Sequence, residues 1–148
     1  MLALVLILGG CGGTSTTHRT PTAGAVPLVP GSQIVEQTRR CDQGSNAFCA
    51  IDLVVVNRAY NSSDILALDE SHLLRKSGWS LADGDTSLQS AANSPGHRLR
   101  LTYDTAAGDL QEIDLDQINR PWPITYALSN TIFDRAAAMS MRLEVGAS

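Results

Sequence analysis

Residues 50–56 read Ala-Ile-Asp-Leu-Val-Val-Val, and no other segment restricts the fold as tightly. Branched side chains pack readily on a pleated backbone and crowd a helical turn, so the run predicts a strand. Its apolar character is nearly continuous rather than alternating, which predicts a central strand covered on both faces. Asn57 bounds it. Such a strand needs a layered domain around it. Residues 34–148, about 115 in number, suffice for one domain and not two. At 43% apolar and 18% charged residues the composition is that of a globular chain, slightly low in charge.

Further elements follow from local chemistry. Asn61, Ser62, Ser63 and Asp64 offer acceptors for the free amides of a helix start, predicting a helix to about Lys76. Leu66, Ala67, Leu73 and Leu74 share its apolar face, with Glu70 set awkwardly among them. Arg75 and Lys76 suit the negative end of the helix dipole, and Gly78 terminates it. Residues 79–81 begin a short strand, and residues 83–95 read as polar loop. From residue 97 to 103 the sequence alternates, with Leu99, Leu101 and Tyr103 opposite Arg98, Arg100 and Thr102. Residues 108–119 are acidic and hold a short strand or turn. A second helix over about residues 124–138 aligns Ile124, Leu128, Ile132 and Ala136. Met141, Leu143 and Val145 then alternate in a final strand. The order β-α-β-β-α-β predicts an α+β domain of the ferredoxin-like arrangement, a small antiparallel sheet with two helices packed on one face. That arrangement hosts many functions and selects none.

Ahead of the domain, residues 2–8 are apolar and lead into Leu8-Gly9-Gly10-Cys11. The stretch is too short to span a bilayer, which takes about 20 apolar residues. Small residues before a cysteine, directly after an apolar run, resemble the lipobox of bacterial lipoproteins. The resemblance covers only about the first dozen residues. It implies that residues 1–10 are a signal segment removed before Cys11, and that Cys11 carries lipid such as palmitate. The chain is then anchored to the cell membrane on its extracytoplasmic face. No Lys or Arg precedes Arg19, whereas a secretory signal opens with basic residues, so the true start is expected upstream of Met1. Residues 11–33 are rich in Gly, Ser, Thr and Pro, with too few large apolar groups to offset ordering entropy. They read as a disordered spacer with a reach of about 25 Å. One acyl chain binds only marginally, so retention takes the several chains that lipoproteins carry.

With Cys11 assigned to lipid, Cys41 and Cys49 remain. In an exported chain they read as a disulfide closing a short loop, worth about 2–3 kcal/mol in the chain-entropy model. Two free thiols or half of a metal site are the competing readings. Zinc prefers about two to four intervening residues, so this wider spacing is wrong for it.

Chemistry is sparse. A net charge of −4 argues against a nucleic-acid surface. No glycine pattern cradles phosphate, and no serine sits in a glycine-flanked elbow. His18 falls in the spacer, His72 on a solvated helix face with Arg75 and Lys76, and His97 beside Pro95-Gly96 at a strand start. Asp104, Asp109, Glu112, Asp114 and Asp116 concentrate acidity, but they match only a fragment of a calcium loop and read as a solvated edge. Asp83-Gly84-Asp85 is a turn. No metal or cofactor is implied.

One surface candidate remains. Arg120-Pro121-Trp122-Pro123, with Tyr126 close behind, sets a tryptophan between prolines that hold it extended. The commoner arrangement tucks such a tryptophan onto the core as a staple before the helix. Exposed, Arg120, Trp122 and Tyr126 have the composition enriched at binding hot spots. The sequence thus predicts a lipid-anchored envelope protein whose domain is a non-enzymatic binding or interaction module for an envelope protein or cell-wall component. The alternative is a small cell-envelope hydrolase whose site is assembled from scattered residues.

Overall fold

The computed structural model describes residues 20–42, 48–84, 89–105, 120–129 and 135–146. In chain order these hold β1 (Gln33–Cys41), β2 (Cys49–Asn57), α1 (Ser63–Lys76), β3 (Ser80–Asp83), β4 (Ser90–Asn93), β5 (Leu99–Thr105), α2 (Trp122–Ser129) and β6 (Ala137–Val145). Single 3-10 turns lie at Ala23–Ala25 and Pro95–His97. The six strands form one sheet in the order β1-β2-β6-β5-β4-β3, and every neighbouring pair is antiparallel. The α+β class is the one expected; the strand order is not that of a simple ferredoxin-like domain.

The helices do not share a face, and β2 shows why. Successive strand side chains point to opposite sides of a sheet. Ile51, Leu53 and Val55 pack with Leu66 and Leu74 of α1, whereas Val54 and Val56 pack with Ile124 and Leu128 of α2. Each face of β2 is therefore sealed by a different helix. The chain crosses one face in α1 to reach β3 at the far edge, then returns over the other face in α2 to insert β6 beside β2. The near-continuous apolar run reported this two-sided cover correctly; the single-face helix layer was wrong.

Local chemistry explains the helix ends. The Ser62 hydroxyl accepts from the Ile65 N–H at 3.4 Å, capping α1. Gly78, at φ 85°, lets the Trp79 N–H return to the Leu74 carbonyl at 3.0 Å. Leu66, Glu70 and Leu74 form the buried ridge, so the awkward glutamate does lie among the leucines. The second helix is shorter than expected, because Ala137 and Ala138 begin β6 opposite Asn57 and Val56. Ile132 and residues 108–119 lie outside the described residues.

The expected spacer also needs correction. Residues 1–19 lie outside the described residues, but residues 20–32 are docked on the domain. Pro21, Val26 and Val29 are buried, and the two valines join the α1-side core. The Asn57 side-chain amide donates to the Pro30 carbonyl and the Ser32 hydroxyl, both at 3.1 Å. A few apolar contacts and backbone bonds hold a segment that its composition alone would leave loose. Among the described residues, no helix is long and apolar enough to cross a membrane.

Candidate functional site

The β1–β2 hairpin is closed by a disulfide between Cys41 and Cys49, directly opposed residues in the strand pairing. On the α2 face of the same strands sits Asp52, fully buried. Its Oδ1 accepts from Arg142 Nε at 2.9 Å and from Arg120 Nη1 at 3.3 Å, while Arg40 Nε stands 4.0 Å from Oδ2. Cross-strand register places Asp52 opposite Arg142, and Arg120 arrives from the start of α2. The sequence reading missed this cluster. Its signal was available: a lone carboxylate inside a buried branched run requires cations, since an unpaired buried charge is prohibitively costly.

Beside the cluster, Arg40, Arg142, Asp42, Glu144 and Phe48 border a hollow of 180 Å³. Small-molecule sites run to about 300–1,000 Å³, so this one suits water or a small ion rather than an organic substrate. Its two guanidinium groups and two carboxylates give no dominant charge.

The tryptophan motif is split by the fold. Arg120 turns inward to Asp52, its side chain only 3% exposed, and so leaves the proposed binding trio. Trp122 turns outward at 74% exposure, and Tyr126 at 53%. Their rings stack with centroids 5.1 Å apart and planes 20° from parallel. The core-staple arrangement is therefore wrong, for a reason of helical phase. Ile124 and Leu128 face the sheet, and positions two residues earlier on an α-helix point roughly 200° away. Residues 122 and 126 are four apart, so their rings meet on the solvent side. Pro121 is buried, and its carbonyl accepts from the Ile124 and Thr125 N–H groups at 3.0 and 3.1 Å, fixing that phase.

On the opposite face Glu70 is fully buried. Its Oε2 accepts from the Val29 N–H at 3.0 Å, and Oε1 has no hydrogen-bond partner. Burial pushes the carboxyl up to about 7 against the pull of the Val29 hydrogen bond. Tyr103, on β5 beneath, is raised by its own burial, with a hydrogen bond from Ser90 opposing and Glu70 adding to the shift. The Tyr60 hydroxyl donates to Asp69 Oδ2 at 2.6 Å, and that bond raises it as well.

The remaining candidates disperse. His72 is exposed on α1, and His97 is exposed in the turn before β5 at φ 54°. Asp104 is buried rather than part of a solvated edge, its Oδ1 accepting from the Thr105 N–H at 2.7 Å. His18, Asp85, Asp109, Glu112, Asp114 and Asp116 lie outside the described residues, as does Cys11. Among the described residues no group of three or more His, Cys, Asp or Glu side chains is placed to hold a metal ion. No protein-family model matches the chain, and comparison with curated proteins finds no match.

Proposed function

We propose that this chain is an extracytoplasmic, lipid-anchored interaction module, held at the membrane through Cys11 and presenting Trp122 and Tyr126 to an envelope protein or cell-wall partner. The outward-facing aromatic pair carries the binding half of this reading. A tryptophan at 74% exposure forgoes burial worth about 2 kcal/mol or more. Stacking on Tyr126 holds its ring in one orientation, so little rotamer freedom remains to be lost when a partner docks. The anchoring half draws on the lipobox resemblance and on the Cys41–Cys49 bridge, since disulfides persist in oxidising compartments. In the alternative hydrolase reading a base would stand beside a nucleophile, but His72 and His97 both face solvent.

Intact mass of the membrane-extracted protein tests the anchor: lipid mass at a Cys11 N-terminus is expected, and an unprocessed soluble chain overturns it. Cross-linking in intact cells tests the surface. Trp122→Ala should reduce recovery of the cross-linked partner about tenfold while circular dichroism stays unchanged. Equal recovery removes the aromatic pair from the interface.

A further inference from the structure

We infer that residues 20–32 are a releasable strap, whose docking on α1 is strengthened when Glu70 is protonated and loosened when it ionises. The geometry sets this up. Glu70 points from the buried ridge of α1 to the Val29 backbone, and the Val26 and Val29 side chains complete the core at that point. The strap is therefore the wall that keeps water from the carboxyl. Ionisation would leave a negative charge with one backbone donor on Oε2 and nothing on Oε1.

The surroundings offer little else. The strap itself, residues 20–32, contains no ionisable side chain. β2 and β6 face α1 with Ile51, Leu53, Val55, Met139, Met141 and Leu143. β5 contributes Tyr103, which is close enough to feel Glu70 and also Arg75. The loop before α1 contributes Tyr60, bonded to Asp69 on the helix and itself within reach of Glu70. Glu70 titrates at about 7 when docked, against an ordinary value of 4.5. The docked strap binds a proton that the released strap gives up, so docking is fully favoured below pH 4.5, weakens as pH rises, and levels off above about 7. Release would lengthen the tether by up to about 40 Å at full extension. That consequence rests on the anchored reading; the strap equilibrium does not.

Hydrogen exchange on the full-length chain, corrected for intrinsic rates, reads the strap directly. From pH 5 to pH 8 its opening constant should rise about 70-fold, most of the rise falling below pH 7, while β2 and β6 amides hold their protection. In Glu70→Gln the opening should not change with pH. Carbon-detected NMR of the wild-type Glu70 carboxyl keeps the inference testable if that variant fails to fold, with an expected midpoint near 7. A midpoint in the ordinary glutamate range overturns it. So does an unchanged pH slope in Glu70→Gln, or loss of β2 and β6 protection in step with the strap. None of these readouts involves lipid or a partner, so their failure is separate from failure of the anchor.

Discussion

Removing the Asp52 carboxylate tests the second face of the sheet. Asp52 is completely buried, and the Arg120 side chain bonded to it is 3% exposed. Asp52→Ala takes away one acceptor serving two guanidinium groups and leaves a cavity. Breaking a buried pair from one side costs about 3–5 kcal/mol, because the charge left behind cannot return to water. Against a total stability of about 5–15 kcal/mol that is a large share. The upper end is out of reach, since Arg142 is 19% exposed and can rehydrate. About 3 kcal/mol is the expected loss for Asp52→Ala, and somewhat less for Asp52→Asn, which keeps an acceptor oxygen. Arg40→Ala is the control. Its guanidinium stands 4.0 Å from Oδ2 with a side chain 43% exposed, so about 0–1 kcal/mol is expected. Urea unfolding followed by far-ultraviolet circular dichroism gives these differences, provided the denaturant slope is unchanged. The Asp52 loss should also persist in 1 M salt, which screens surface pairs and not buried ones. Asp52→Ala within 1 kcal/mol of wild type, or an Arg40→Ala loss equal to it, refutes the reasoning.

Leu128→Ala should destabilise by about 2 kcal/mol, the low end for a buried leucine, because the Val54, Val56, Ile124 and Ala138 cluster around it is small. Thermal melts decide it, and a loss above about 4 kcal/mol would mean α2 holds more of the fold than its two buried turns suggest. Replacing Cys41 and Cys49 together by serine should cost about 2–3 kcal/mol while the β1–β2 pairing survives. Loss of native circular dichroism in that variant would make the bridge a folding requirement rather than a brace.

Several elements were legible because one local force dominates each. The branched run of β2, the Ser62 cap and Gly78 stop of α1, and the alternation through Leu99, Leu101 and Tyr103 all declare themselves in sequence. β1 does not. After Ile34 and Val35 it reads Glu-Gln-Thr-Arg-Arg, an edge strand mostly turned to solvent and bulged at Val35, held by pairing with β2 rather than by its own propensity. β4, Ser-Ala-Ala-Asn, lacks any branched residue; it is a strand because β3 and β5 flank it, with Ala91 and Ala92 buried between them. The three alanines at 136–138 invite a helix, yet β6 must start there to fill the gap between β2 and β5. Long-range pairing decides each of these, and periodicity within a window cannot report it.

The split of Arg120 from Trp122 ties the buried cluster to the exposed surface. One charge in the β2 run, Asp52, falls on the face opposite α1 because strand parity puts it there. It draws Arg120 inward, and Arg120 immediately precedes Pro121, whose buried ring and carbonyl begin α2. With that start pinned, helical phase directs Ile124 and Leu128 to the sheet and leaves Trp122 and Tyr126 no direction but outward. The aromatic pair is thus set by a carboxylate roughly seventy residues earlier in the chain. A variant that loosens Asp52 should accordingly lower tryptophan fluorescence anisotropy at the exposed site before the domain unfolds.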